Sequence, residues 1–551
     1  MLARSSAATG TRVDGVPGAT ILDRGRAWAA DGYRLGVAAV TAALGGFLLW
    51  HLHAWPPHED ETLVFFVSRQ PFGEVFDTVL DQRGGAPLHF FLAHLAMVVA
   101  PGLTGLRLIS VAFAVASIPV AAALVARLTD RRTALLATLF LAASWVTLLH
   151  AVYARMYSLF LFTSVLSFLL LLRALERGTV TRWTLWGIGT LAMLATQPYG
   201  ALVLAAQGAY VLARRFRQPV PLRRPLLAFA AVLVVAIPLW RTYFLLASRF
   251  DVGFGERNGS KLGSPVAVLE YLWKTLGDFT AGWLPVTLVV AAVAATGLVV
   301  LVRERRNAAL LALAVVAVPA VSLLVARSGA SASLETRHLI FALPLVAMVL
   351  AAGIRGTARA AGPLASAVIA VGTGLLLSAQ VAWGWERTPW LYEREPEVRV
   401  EARDAAAAWL AARSRPDDVL FGYEPTYLDA WEHGAPFGNI FIPRADPKLA
   451  LATLRRIPQP LGRGVWVLDA SDHLDQRDIR LSIEERSPGP GFEAHAFGPF
   501  LVIRTQRPTG TIENYLLQTI RVQNLSWALG IGDAGINFQT AFTALRRLRA
   551  S

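Results

Sequence analysis

For its first 385 positions the chain runs in long apolar stretches separated by short polar and basic groups; beyond that the stretches shorten and begin to alternate. A bilayer core about 30 Å thick takes a helix of about 20 residues, within about 17–25. Stretches of that kind fall near 33–52, 106–127, 133–149, 157–174, 183–198, 200–213, 225–245, 282–302, 307–326, 338–354 and 363–384. They predict an α-helical polytopic membrane protein with about eleven transmembrane helices. The fifth and sixth are short and broken by Pro198, so they are read as a helix pair meeting at Gln197-Pro198-Tyr199-Gly200. Residues 1–32 are polar and lack a short apolar core before a cleavage site, which reads as a cytoplasmic tail.

One further apolar stretch decides the topology. Ala86 to Ala100 has 15 residues and reaches about 22 Å as a helix, short of the bilayer core. If it crossed, the arginine groups at 131–132, 214–217, 303–306 and 355–359 would all lie outside. If it stays at the interface, every one of them lies in the cytoplasm, as the positive-inside tendency requires. The segment 51–105 is therefore expected to be one large external loop with juxtamembrane helices. Past residue 385, Glu401 to Arg413 reads as an amphipathic helix, while Asp418–Phe421, Gly464–Leu468 and His495–Arg504 read as strands. The division expected is a transmembrane module over 33–385, a small extracytoplasmic α/β domain over 386–508 and a terminal helical segment over 509–551.

Composition agrees with this pattern. Apolar residues make up 55% and charged residues 16%, against about 25% charged in a soluble domain. The net charge of +14 is carried by arginines grouped between apolar stretches, which is membrane topology rather than a nucleic-acid surface. The absence of Cys excludes disulfides, thiolate metal sites and a Cys nucleophile.

Candidate chemistry gathers on the external side. His58-Glu59-Asp60-Glu61 follows the first stretch, and three consecutive carboxylates beside an apolar helix end are costly unless solvated or used. His150-Ala-Val-Tyr153-Ala-Arg155-Met156-Tyr157 lies where the third and fourth stretches meet. There a guanidinium either clamps phosphate or simply snorkels among interfacial tyrosines. Glu335-Thr336-Arg337-His338 poses the same alternative before the tenth. A transporter would keep ionisable groups near the bilayer midplane, whereas these stretches are nearly free of mid-helix carboxylates.

Taken in order, these residues resemble the GT-C membrane glycosyltransferases, nearest to the bacterial protein-mannosyltransferase-like and aminoarabinose-transferase-like members. Asp60-Glu61-Thr62-Leu63 with Arg69-Gln70-Pro71-Phe72-Gly73-Glu74 resembles their first external loop. Pro87-Leu88-His89-Phe90-Phe91, Arg107-Leu108-Ile109-Ser110, Ala154-Arg155-Met156-Tyr157 and Arg337-His338 are similar to later motifs, covering about residues 45–355. Tyr153 stands where the family usually has Glu, and Gln197 where a His is common.

The resemblance implies an inverting transferase. It would move a hexosyl or pentosyl group from a polyprenyl-phosphate-linked donor to a glycan, glycolipid or protein acceptor in the cell envelope. The active site would lie on the extracytoplasmic side of the plasma (inner) membrane, in contact with membrane lipids and not with nucleic acid. Asp60 is the expected general base. Glu61 is expected to orient the acceptor or, with Asp60, to hold a divalent cation (Mg or Mn) if one is used. Arg155 and Arg337 would meet the departing phosphate. His58, Glu59, His89, Tyr153, Tyr157, Gln197 and His338 are expected to line the pocket. A lipid-linked oligosaccharide ligase or polymerase is the alternative enzyme, and a flippase-like transporter the alternative outside enzymes.

Overall fold

A computed structural model describes residues 31–217, 221–249, 264–325, 335–444, 446–471, 482–531 and 534–551; nearly all of the expected cytoplasmic tail lies outside them. The first long helix, α1 (Gly32–Trp50), is capped by the Asp31 carboxylate. The chain then forms α2 (Glu59–Ser68), α3 (Phe72–Asp77), a π-helical turn over Thr78–Arg83 and α4 (Pro87–Val99) before α5 (Leu103–Leu128). Arg107, in the first turns of α5, donates to the Leu52 and Trp55 carbonyls just beyond α1, both at 2.9 Å. So α5 starts at the end where α1 finishes, and the 13-residue α4, about 20 Å long, does not cross.

The bundle continues with α6 (Arg131–Ala143), α7 (Trp145–Ala151), α8 (Tyr157–Arg177), α9 (Val180–Thr196), α10 (Gly200–Arg215), α11 (Arg223–Val235), α12 (Ile237–Arg249) and α13 (Pro265–Phe279). After them come α14 (Leu284–Glu304), α15 (Arg306–Val325), a 3-10 turn (Thr336–Ala342) leading into α16 (Leu343–Ala360), and α17 (Ala365–Arg387). Every one of the eleven expected stretches is helical. Among the described residues seven helices are long and apolar enough to cross a membrane, or nine when the bent pairs α6/α7 and α11/α12 each count once. The remaining two, α9 with 17 residues and α10 with 16, are shorter than a full span. This is a multi-pass membrane protein.

Lipid tails give no hydrophobic drive between spans, so close packing depends on small residues. Gly297 and Gly353 supply it between α14 and α16: a Cβ on either would lie 1.9 or 2.1 Å from the Val349 or Val293 carbonyl oxygen of the facing helix.

Basic groups collect at one end of the bundle, where Arg131 meets Asp31, Arg127 meets Glu176, Arg355 meets Asp130 and Arg359 meets Glu304. The loop 51–102 is at the other end, with the α7–α8 connection and the start of the 3-10 turn.

After α18 (Pro389–Glu393) and α19 (Glu397–Ala411) the chain builds a five-stranded sheet. Its strands are β1 (Val419–Phe421), β2 (Phe441–Ile442), β3 (Gly464–Asp469), β4 (Phe492–Phe497) and β5 (Phe500–Thr505), in the order β2-β1-β3-β5-β4. The β2-β1-β3 half is parallel, and β5 runs antiparallel to both β3 and β4. The single strand expected over His495–Arg504 is instead a hairpin, because Gly498 at φ +52° and Pro499 turn the chain between the paired Phe497 and Phe500. The helices α20 (Pro425–Glu432) and α21 (Pro447–Arg456) connect the parallel strands, and α22 (Ile512–Ala528) and α23 (Ala534–Ala550) end the chain.

Alternation along the strands buries both faces of this sheet. Val419, Phe421, Trp466, Leu501 and Ile503 pack against α21, α22 and α23. Leu420, Val465, Val467, Phe500 and Val502 join a second cluster that takes in Ala406, Ala407 and Leu410 of α19 and Tyr427 and Leu428 of α20 and reaches Leu63–Val67 of α2 with Phe90 and Met97 of α4. Phe66 sits 4.2 Å from Phe441, ring to ring, and its carbonyl accepts from the Asn439 amide at 3.2 Å. The sheet is thus packed onto the helix whose first turn carries the carboxylates.

Candidate active site

Glu59, Asp60 and Glu61 form the first turn of α2, where the helix dipole favours negative charge. His58 is the N-cap: its Nδ1 accepts from the Asp60 amide at 3.1 Å, while the Glu61 carboxylate accepts from the His58 amide at 3.2 Å. The helix start therefore accounts for an acidic triplet at this position. It does not account for the different fates of the three side chains.

Glu61 is fully buried. Its Oε1 accepts from Arg107 Nε (2.9 Å) and the Ala154 amide (2.8 Å), and its Oε2 from Arg107 Nη2 (2.7 Å) and the His58 amide (3.2 Å). A carboxylate has about four acceptor positions, and all four are used. The expectation that Glu61 orients an acceptor or holds a cation is corrected here: it ties α2 to α5 and to the 152–156 connection. Arg107, known from sequence only as part of a motif, is its buried partner. Nothing local in the sequence points Arg107 at residue 61, 46 positions away.

Glu59 turns toward the sheet domain and pairs with Arg444 at 2.6 Å, which also holds Glu424 at 2.5 Å. No sequence motif signals Arg444; it reaches the site through the docking of β2 on α2.

Asp60 alone of the three meets the side chains of the α7–α8 connection, with its own side chain 28% exposed. The Tyr153 hydroxyl lies 3.0 Å from Oδ2 and 2.8 Å from His58 Nδ1, and Arg155 Nη2 lies 3.5 Å from Oδ1. Burial raises the carboxyl's pKa, but Arg155, His58 and Arg337, together with the Tyr153 hydroxyl, outweigh it and hold Asp60 below the usual carboxylate range. Burial beside Asp60 pushes the Tyr153 phenol well above its ordinary value, so it stays protonated as a donor. Where a Glu would add charge, this Tyr fixes the orientation of Asp60.

Arg155 and Arg337 bring two guanidiniums toward Asp60, and the Nε–H of each is buried with no hydrogen-bond partner. Buried donors of this kind are costly to leave unpaired, and an anion placed between two charged ones would satisfy both. Arg337 rests over the Tyr157 ring at 5.2 Å and is held by Glu335 at 2.7 Å. His338 caps the turn that presents it, accepting from the Glu335 amide at 3.2 Å, and stacks on Tyr199 at 4.5 Å. His89 is buried, and desolvation followed by the Arg155 charge pushes it down to about 3, so it is neutral. Gln197 is buried at the α9–α10 junction, where its carbonyl accepts from Tyr243 at 3.3 Å.

A divalent cation does not fit this donor set. Glu61 has no acceptor position left, Tyr153 is protonated, and Asp60 faces two guanidiniums. Among the described residues no group of three His, Cys, Asp or Glu side chains could hold a metal.

Comparison with known proteins adds the fold. ArnT of Cupriavidus metallidurans, an aminoarabinose transferase, superposes with a TM-score of 0.54 over 86% of this chain and 98% of that one, at 14% identity. The chain has the GT-C fold. The same protein bound to undecaprenyl phosphate gives a TM-score of 0.53 with the same identity and coverage. The oligosaccharyltransferase of Archaeoglobus fulgidus gives 0.49 at 11% identity, over 80% of this chain and 70% of that one. No family model matches the sequence, and no curated protein matches it.

Proposed function

We propose that the protein is an inverting glycosyltransferase that takes a sugar from a polyprenyl-phosphate donor and passes it to an envelope acceptor on the extracytoplasmic face. One observation carries the reading: Asp60, oriented and partly open, lies in the field of two partly buried guanidiniums, Arg155 and Arg337, whose Nε–H groups are buried with no partner. The similarity to ArnT, which is known with undecaprenyl phosphate bound, supports a lipid phosphate as the anion. The gathering of arginines at the opposite end supports the orientation.

In this scheme the donor phosphate lies on Arg155 and Arg337, with its lipid tail in the bilayer. The acceptor hydroxyl oxygen attacks the anomeric carbon opposite the phosphate and its proton passes to Asp60. The sugar–phosphate bond breaks, and the polyprenyl phosphate leaves with its charge stabilised by the two guanidiniums. Tyr153 and His58 fix Asp60, and Glu61 with Arg107 fixes the connection that carries Tyr153 and Arg155.

The test is transfer from synthetic polyprenyl-phosphate sugars by the purified protein in liposomes, paired with mass spectrometry of envelope glycans from cells with and without it. A sugar missing from the glycans and transferred in vitro is the expected result. Unchanged glycans together with no transfer from any such donor would end the proposal.

A further inference from the structure

A second charged cavity, of about 490 Å³, opens at the end of the bundle remote from Asp60, between the ends of α5, α8, α10, α14 and α15. Its floor includes Leu128, Leu172 and Tyr210, and its rim carries the run Arg303-Glu304-Arg305-Arg306 that joins α14 to α15. The two carboxylates on the wall are already engaged, Glu176 by Arg127 and Glu304 by Arg359. Among the described residues no carboxylate pairs with Arg303, Arg305 or Arg306, and all three are exposed.

Helix dipoles explain only part of this cluster. Arg303 lies in the last turn of α14, where a cation is favoured, but Arg306 opens α15, with no acidic residue in its first turn. A cation there faces the positive end of a dipole, beside amide N–H groups that have no partner within the helix. An anion placed between these groups relieves both. The apolar floor and the position at the ends of membrane-spanning helices specify what kind: an anion that arrives with acyl chains beside it.

We propose that this cavity binds the phosphate headgroup of an anionic phospholipid, held by Arg303, Arg305 and Arg306. The site is separate from Asp60 and does not depend on the reaction proposed there. It tethers the α14–α15 hairpin to the anionic leaflet.

Native mass spectrometry of the full-length protein in detergent, titrated with phosphatidylglycerol or phosphatidylcholine, tests it. Phosphatidylglycerol is expected to be retained preferentially. An arginine beside an anionic lipid surface contributes about fivefold, so Arg303→Gln/Arg305→Gln/Arg306→Gln should lower retention on the order of a hundredfold. The single change Arg306→Gln should lower it by about fivefold. A control, Arg132→Gln/Arg217→Gln/Arg223→Gln, removes three exposed charges from the same end but outside the cavity and should leave retention unchanged. Equal retention of the two lipids, or an equal loss in the control, would overturn the site. Displacement of the lipid by inorganic phosphate at matching concentration would show a soluble phosphate ligand instead and overturn the lipid assignment.

Discussion

Among the three adjacent residues Glu59, Asp60 and Glu61 of α2, one functional group performs three tasks. Glu61 saturates its acceptor positions inside the protein, Glu59 leans out to Arg444, and Asp60 stays partly open toward two arginines. Asp60→Asn keeps the shape and removes the base, so transfer should fall about 10²–10⁴-fold while donor binding survives; turnover near wild type would remove Asp60 from that role. Arg155→Ala should cost about 10²–10³ in turnover and weaken donor binding, and titration with polyprenyl phosphate separates the two effects. The charge state of Asp60 also predicts a pH effect. A carboxyl whose pKa is depressed on folding adds stability above its unfolded value, near 4, and loses that contribution as the pH falls through the depressed range. Melting curves between pH 7 and pH 3 should therefore show a steeper acid loss for wild type than for Asp60→Asn.

The short connection 152–156 shows how an element is positioned by bonds that sequence does not display. Its Ala154 amide is fixed by Glu61, and the Tyr153 carbonyl accepts from Ser110 at 2.8 Å, so α2, α5 and the connection move as one piece. Removing one partner of a buried ion pair costs about 3–5 kcal/mol, and Arg107→Ala should lower the melting temperature accordingly. Glu61→Gln, which keeps an oxygen for Ala154, should be milder in stability than Arg107→Ala yet still slow transfer. Equal melting temperatures for wild type and Arg107→Ala would show that the pair carries no such load.

Across the whole molecule, the sheet domain is bound to the active-site loop through Leu63–Val67, Phe66 against Phe441 and the Arg444–Glu59 pair. Phe66→Ala should cost about 3–5 kcal/mol and raise hydrogen exchange in both α2 and β2, which would remain independent if the domain merely hung from α17. The division of charge between the two ends makes a further test. In cells, an impermeant thiol reagent should label a single Cys at Phe72 or Phe76, both exposed, and not one at Arg305.

The sequence by itself determined where helices form, because a lipid-embedded backbone must satisfy its own hydrogen bonds and a run of apolar residues leaves it one way to do so. It also determined that Ala86–Ala100 is too short to cross, which placed Asp60 and Arg155 at one end. Turn chemistry too local to weigh against an apolar run, at Gly498-Pro499, was missed. Only the tertiary structure decided which carboxylate is available, since that depends on partners 46 residues away for Arg107 and Glu61 and on a sheet domain folded from the far end of the chain. Periodicity records how each segment meets its solvent; it carries no information about which distant side chain fills the last acceptor position.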